Sequence, residues 1–581
     1  MIRELHTMQQ VNAKRVLLVL VFALLCGVSL FADGLPLIDS DIESKWFGTL
    51  FLVFAMGALS ALGGHSRTVT VRAMDWAVGL VLVWVVIRSI GHVTLLYYLR
   101  LAAVGVLYVG FRMAGRRYAK EAGLTVAVLT VVLAMYGLGQ WLHVIPAGGR
   151  SFPVVGTFDN PAGFASALAM GVPFVLPFVK HGRRGVQVAA VGALLLVLVV
   201  LAAAQSRAAL LATLAMLVLW ATSSSRGPVG TFWKVAVPVL LAAAFVGMYF
   251  LKKESADGRL LIWWVTLRLI MQHPVVGGGT HAFWRAYMPA QADYFRLHPD
   301  SRFALLADNV RHPFNEYLSV LLQWGVVGLL LLAIVVLLAV RAWRSHRDSE
   351  KDTSLLALVA LGIVACFSYP MNYPFAWIIL TGGLATLGSA TPAWRPRQFP
   401  SLVQTTIVTI VSTALLITSA IQYHYYEEWH NVAHQSIYSK QVQSKYARLY
   451  EQLRRDPFFL YNYAAVMKQN ADIDDALCVV RQCEKFISDY DAIFLEAEML
   501  FQSGQYAAAK PFYEQLSYMC MSRYIPTYRL FLIAEEDGDT EKALDYCQMI
   551  VNKEEKVRSS KIIFIKQVCS QFLNKKSIFN P

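Results

Sequence analysis

The chain has 581 residues, of which 56% are hydrophobic and only 15% charged, with a mean hydropathy of +0.48. A soluble domain carries about 25% charged residues, so a wholly soluble protein is excluded and a polytopic membrane protein expected. The formal net charge of +14 is not a nucleic-acid signature: residues 424–581 hold 19 basic against 21 acidic side chains, so the excess sits in the apolar part.

A run of about 20 apolar residues spans a bilayer. Thirteen candidates lie near 16–31, 46–62, 76–91, 95–111, 123–142, 161–179, 186–204, 208–222, 232–250, 316–340, 355–369, 374–389 and 403–423. The first follows Arg3, Lys14 and Arg15 without a convincing small-residue cleavage site, and reads as a retained span. Loop charge tests this count. With the N-terminus cytoplasmic, the alternate loops carry twenty basic residues, among them Arg67, Arg72, Arg112, Arg116, Lys180, Arg226, Lys234, Arg341, Arg395 and Arg397. The short loops on the other side hold almost none beyond Lys45 and Arg150. That asymmetry is the positive-inside pattern, and it places the 251–315 loop and everything after Tyr423 outside. Residues 1–423 therefore read as a membrane domain and 424–581 as a separate soluble domain.

Polar residues at the membrane surface are candidates for chemistry. "VVGTFDNPAGFASALAMG" opens the sixth span. Gly156 permits a tight turn, and Asn160 followed by Pro161 is a helix start. The small residues that follow suit close helix packing or a ligand groove. "AAAQSRAALLA" places Gln205, Ser206 and Arg207 between two apolar runs. Arg207 is either an interface anchor or a fixed cation for an anionic group, and the guanidinium fork suits phosphate. In the outer loop, "ADGRLLIWWVTLRLIMQHPVVGGGTHAF" predicts a helix capped by Asp257, with Arg259, Trp263 and Ile270 near one face. The run ends at His273-Pro274, and Gly277-Gly278-Gly279 then predicts a flexible turn. "RHPFNEYLSVLLQWGVVG", residues 311–328, packs His312, Asn315, Glu316 and Tyr317 against the lip of the tenth span.

Beyond Tyr423, Ala476, Ala509 and Ala543 recur at 33 and 34 residues, and Gly504 and Gly538 are 34 apart. This is the tetratricopeptide period. It predicts three helical repeats at 457–489, 490–523 and 524–557, with a capping helix near 558–573. Such arrays present a concave surface to a peptide or protein. Cys478, Cys483, Cys520, Cys547 and Cys569 fall here, at spacings that match no zinc site, and read as buried free thiols.

Taken together, "GTFDNPAGFA", "SRAA", the Arg259-x-x-x-Trp263 helix leading to "HPVVGGGTHAF", and "HPFNEYL" followed by Gly325 and Gly328 resemble the O-antigen ligase and polymerase superfamily over roughly residues 120–345. That superfamily includes lipopolysaccharide O-antigen ligases, polysaccharide-repeat polymerases and bacterial protein O-oligosaccharyltransferases. The resemblance implies a bacterial inner-membrane glycosyltransferase with its C-terminal domain in the periplasm. Its donor is a glycan on undecaprenyl pyrophosphate, and an acceptor hydroxyl attacks the anomeric carbon with inversion. No metal, nucleotide or other cofactor is needed, and nucleic acid is not a partner. By matching position, Arg207 and Arg259 hold the pyrophosphate. This agrees with the need of a leaving group for preorganised cations. Arg100, near the outer end of the fourth span, is either a third such cation or a snorkelling side chain.

The superfamily often places a histidine directly before the asparagine that stands nine residues ahead of Gly-x-x-Gly. Here Asn315, Gly325 and Gly328 keep that register, and the preceding residue is Phe314. Either His312 is the base, or Glu316 substitutes, or leaving-group stabilisation dominates; a His312 that only caps a helix is the structural alternative. The acceptor is a protein or lipid A–core, and a repeat domain able to recruit a protein tilts the reading toward the former. A polysaccharide-repeat polymerase is the nearest alternative. A lipid-linked sugar transporter predicts repeated span groups and mid-membrane ionisable residues, which the sequence lacks.

Overall fold

Helix follows helix along the chain in this computed structural model, which describes residues 2–59, 70–147, 152–224, 253–345, 347–392 and 401–579. The first part comprises α1 (Ile2–Phe31), α2 (Ser40–Ala58), α3 (Ala73–Ser89), α4 (Leu95–Ala114), α5 (Ala119–Trp141), α6 (Pro161–Gly171), α7 (Leu176–His181), α8 (Arg184–Ala203) and α9 (Arg207–Ser224). Next come α10 (Lys253–Ile270), α11 (Ala282–Leu297), α12 (Glu316–Ser345), α13 (Ser349–Ala365), α14 (Pro374–Gly388) and α15 (Ser401–Ala433). The last part comprises α16 (Lys440–Leu453), α17 (Pro457–Gln469), α18 (Ile473–Glu484), α19 (Tyr490–Gln502), α20 (Tyr506–Met519), α21 (Ile525–Glu536), α22 (Thr540–Asn552) and α23 (Ser560–Phe579).

Among the described residues there is no β-strand, and the all-α class is as expected. Twelve of the thirteen apolar runs fall on helices. The ninth, at 232–250, lies outside the described residues, as do Arg67, Arg150, Arg226, Lys234, Arg395 and Arg397. Among the described residues, six helices can cross a membrane by length and composition: Leu95–Ala114, Ala119–Trp141, Pro161–His181, Arg184–Ala203, Glu316–Ser345 and Thr405–Ala433. Shorter apolar helices at Val16–Phe31, Arg207–Thr222 and Pro374–Gly388 accompany them. The polytopic architecture stands; the total of thirteen goes beyond these helices. The last long apolar helix, α15, runs unbroken past Tyr423 to Ala433.

The two ends of the bundle differ in chemistry. At one end lie several of the basic residues predicted to be cytoplasmic. Arg112 pairs with Asp75 at 2.7 Å, Arg116 with Glu350 at 2.6 Å and Asp348 at 2.9 Å, and Arg72 donates to the Thr391 carbonyl at 2.6 Å. At the other end, helix termini meet through buried polar contacts. Fully buried Lys45 donates to the carbonyls of Ala32 at 2.8 Å and Thr157 at 2.7 Å, tying the end of α1, the start of α2 and the loop before α6 together. A buried ammonium is tolerated because its donors are satisfied.

Two expectations about the lip need correction. α12 is broken: Gly325 has φ +65 and ψ −167 inside the helix. The glycine turn is pinned rather than flexible, because it docks into that break. Gly278 N–H donates to Leu322 O at 2.8 Å and Gly279 N–H to Gln323 O at 3.0 Å, while Val326 and Val327 N–H donate to Pro274 O at 2.9 Å and Val275 O at 3.1 Å. Interrupting a helix at membrane depth strands backbone groups, and the 274–279 segment re-satisfies them. A side chain at Gly325 would meet the Val275 carbonyl oxygen at 2.2 Å. Asp257 is not a cap either, since α10 is already helical at Lys253.

The C-terminal helices pair as the period predicts: α17 with α18, α19 with α20, α21 with α22, then α23. Ala476, Ala509 and Ala543 are each 0% exposed, as close helix packing requires. Asp456, Asp489 and Asp539 accept from the first-turn amides of α17, α19 and α22. Gly504 and Gly538 turn the chain with φ +75 and +74, and Ala471 does so in the first repeat with φ +62. The cysteines are free thiols; Cys483, Cys520, Cys547 and Cys569 are buried as expected, whereas Cys478 is exposed.

Candidate active site

The polar end of the bundle gathers most of the predicted site residues. Asn160 is the anchor of one wall. Its Oδ1 accepts from Gly163 N–H at 2.9 Å as the α6 cap, and its Nδ2 donates to Asp159 at 2.6 Å, Tyr369 Oη at 2.8 Å and Tyr373 Oη at 3.0 Å. Tyr373 donates in turn to Asp159 Oδ1 at 2.5 Å. The loop leading into α6 is fixed from behind by Gln140, whose Oε1 accepts from Val155 N–H at 3.1 Å and Gly156 N–H at 2.7 Å. Gly156 has φ +61 and packs on Phe164, so its part is to make the turn.

His312 stands on Tyr369, ring on ring, with centroids 4.4 Å apart and planes 18° apart. Its Nε2 lies 3.3 Å from Asn372 Nδ2. Burial, and next the neighbouring Arg311 guanidinium, hold the imidazole down at about 4. His312 is therefore neutral near pH 7, the form a proton acceptor needs. His281, stacked on Trp284 at 4.2 Å, is driven further down, to about 3, by burial and then by Arg285, Arg100, His312 and His92. Glu316 Oε1 accepts from Met371 N–H at 3.2 Å and holds the 369–373 loop. Asn315 accepts from Tyr317 and Leu318 N–H, both at 3.0 Å, and so caps α12. Tyr317 donates to the Gly362 carbonyl at 3.0 Å and joins α12 to α13.

Phe314 resolves the displaced register. It sits at φ +51, in the left-handed region, a strain of about 1–2 kcal/mol for a residue with a Cβ. Trp263 Nε1 donates to the adjacent Pro313 carbonyl at 3.0 Å and holds the turn. The ring that results lies 5.5 Å from the Arg259 guanidinium and meets Tyr369 edge-on at 5.5 Å. Phe314 is thus a shelf for a cation. Arg259 forms no ion pair among the described residues. Burial and the neighbouring Arg207 both work against its charge. Arg207 begins α9, its Nη2 3.4 Å from Ser255 Oγ, just after Gln205, which turns the chain at φ +54. Arg259 therefore feels the positive charge of Arg207, which stands on a different helix. Arg100 is differently placed: it pairs with Glu43 and lies 5.1 Å from the Trp46 ring, so its charge is already met within the protein.

The sequence reading missed the segment between α13 and α14. "SYPMNYPF" straddles the junction of the apolar runs 355–369 and 374–389, and it supplies Tyr369, Asn372 and Tyr373. Its signal was two tyrosines and an asparagine among prolines at a membrane surface. Trp46 was missed as well; its indole donates to the Asn372 carbonyl at 2.7 Å.

Comparison with known proteins adds one informative match. Residues 192–333 match the family model described as O-antigen ligase, a stretch that includes Arg207, Arg259 and His312. No curated protein matches the chain. Among solved structures, yeast Tom70 aligns over 81% of this chain and 97% of its own at 10% identity, with a TM-score of 0.25 too low to bear on the fold. The resemblance read from the motifs is thereby borne out over residues 192–333, which are similar to the O-antigen ligase family.

Proposed function

We propose that the chain is a membrane glycosyltransferase that moves a glycan from undecaprenyl pyrophosphate to an acceptor hydroxyl at the periplasmic face of the bacterial inner membrane. The O-antigen ligase match supports glycosyl transfer of ligase or polymerase type. The observation that carries the finer reading is Arg259: a guanidinium shelved on Phe314, with no ion pair among the described residues, facing Arg207. Like charges brought together at partial burial are unfavourable, and a dianionic pyrophosphate between them would reverse the sign of that interaction. As the bond from the anomeric carbon to the pyrophosphate oxygen breaks, the leaving group takes the electron pair, and the two forks stabilise the charge that grows there. The acceptor hydroxyl forms the new bond from the opposite face and gives its proton to neutral His312. Asn372 and Tyr369 keep that ring in place.

The acceptor is a protein or lipid A–core. The test is a deletion strain in which glycoproteins and lipopolysaccharide are both analysed, followed by transfer from its extracted lipid-linked glycan to the depleted acceptor by the purified chain in proteoliposomes. Loss of sugar from one acceptor, restored by the purified chain, is the expected result. Full glycosylation of both in the deletion strain would overturn the proposal.

A further inference from the structure

The helical repeats were expected to recruit a partner. In the structure they already hold a peptide, and it belongs to the same chain. The segment Asp308–Arg311, which ends directly before His312, runs across the heads of successive repeats. Asp308 faces Arg523 at 3.4 Å and Lys556 at 3.5 Å. Asn309 Nδ2 donates to Asp491 at 3.0 Å. Arg311 Nη2 donates to Asp489 Oδ2 at 3.1 Å, and its guanidinium lies 4.8 Å from the Phe458 ring of the first repeat. Asp489, Arg523 and Lys556 are 34 and 33 residues apart, one repeat each. The segment is acidic where the row is basic and basic where the row is acidic, which is how such arrays read an extended ligand.

Asp489 is the firmest point in this row. Its side chain is 6% exposed and does two tasks: Oδ1 accepts from Ala492 N–H at 3.0 Å to cap α19, and Oδ2 takes Arg311. The backbone is fastened at the same place. Trp284 Nε1 donates to the Arg311 carbonyl at 2.9 Å, and the Trp284 carbonyl accepts from Ser488 N–H at 3.0 Å. Gln291 of α11 reaches the Met519 carbonyl at the end of α20 at 2.6 Å. Outer loop and array are therefore joined at several points along the stretch that leads to His312.

We propose that the repeat array positions the reactive lip in cis, with Asp489 as a positioning residue acting through Arg311 on His312. The proposal rests on the glycosyl-transfer reading for its functional consequence, and on geometry alone for the clamp. Asp489→Asn tests it in the full-length chain, because asparagine keeps the cap acceptor and the volume but removes the charge toward Arg311. Amide hydrogen exchange over residues 309–314 is expected to rise about tenfold while α19 keeps its protection. Transfer from the extracted undecaprenyl-pyrophosphate glycan should lose about ten- to a hundredfold in kcat, the scale of a small misplacement of a reacting group. KM for the donor should stay within about twofold. Asp489→Glu should recover most of the turnover, and Arg311→Gln combined with Asp489→Asn should be no worse than the poorer single variant, since both act on one contact. Unchanged exchange at 309–314, or losses that multiply in the double variant, would overturn the clamp. If the wild-type chain transfers no glycan while exchange still rises in Asp489→Asn, the clamp is supported and the glycosyl-transfer reading is the part that fails.

Discussion

Arg259→Ala separates a catalytic cation from a structural one. The guanidinium rests on Phe314 at 5.5 Å and lies beside Arg207, with no ion pair among the described residues. If it stabilises the departing pyrophosphate, its loss should cost what removal of one preorganised donor costs elsewhere, about 2.7–4 kcal/mol or about 10²–10³ in kcat. Arg259→Lys should fall between wild type and alanine. It keeps a charge but loses the two-pronged fork, and loses with it part of a ring contact worth about 0.5–2 kcal/mol. The fold gives the control. Burial and Arg207 already work against the Arg259 charge, so its removal should leave the melting temperature level or slightly raised. The assay is transfer of extracted lipid-linked glycan in proteoliposomes, with thermal unfolding followed on the same preparations. Activity within about threefold of wild type would refute the assignment. So would a fall in Tm that accounts for the lost turnover.

Three further outcomes are expected. His312 is held at about 4 by burial and Arg311, against about 6.5 in an unfolded chain; the unfolded chain therefore binds the extra proton between those values, and the His312 contribution to stability, complete above about pH 6.5, is lost as pH falls toward 4. For the same reason the acid limb of kcat/KM should lie near pH 4 and vanish in His312→Ala, and a limb near 6.5 that survives the substitution would remove His312 as the base. Gly325→Ala places a Cβ 2.2 Å from the Val275 carbonyl oxygen at φ +65, so a loss of about 2 kcal/mol or more is expected from backbone strain and clash, read as a lower melting temperature or as misfolded protein. Ala471→Gly relaxes φ +62 at the position where the later repeats have Gly504 and Gly538, and should stabilise the array by about 0.5–1 kcal/mol in thermal unfolding of the full chain.

Legibility of the sequence followed the range of the forces involved. Apolar runs and the 33- to 34-residue alanine period are local or repetitive, and both the helices and the repeats emerge where they predict. Arg207 and Arg259 stood out because charge at a membrane surface is costly wherever the chain goes. Asn160 was readable as a cap because its partner, Gly163 N–H, is three residues away. Its other role, holding Tyr369 and Tyr373, depends on residues more than 200 positions distant and leaves no local trace. The break at Gly325 was hidden for a related reason. "LSVLLQWGVVGLLLL" reads as one apolar helix, and only the 274–279 segment docked against it makes the interruption affordable. Phe314 looked like a defect in the base register until Arg259 and Tyr369 were placed on either side of it.

The same distance argument bears on what the repeats are for. An array that only recruits a substrate should hang from the membrane domain by a linker, with its charged row open. Here the row from Asp489 to Lys556 is engaged by Asp308, Asn309 and Arg311, and α15 enters the array without a helix break at Tyr423. Partly exposed ion pairs are individually weak, of the order of 1 kcal/mol or less, so a competing peptide of matching charge pattern could displace the segment where one well-packed contact could not be displaced. Removing residues 440–579 altogether should then do more than change acceptor choice. It should release the lip, and intrinsic donor turnover should fall along with acceptor transfer. A truncated chain that is folded, inserted and fully active on donor alone would show instead that the lip stands without the array.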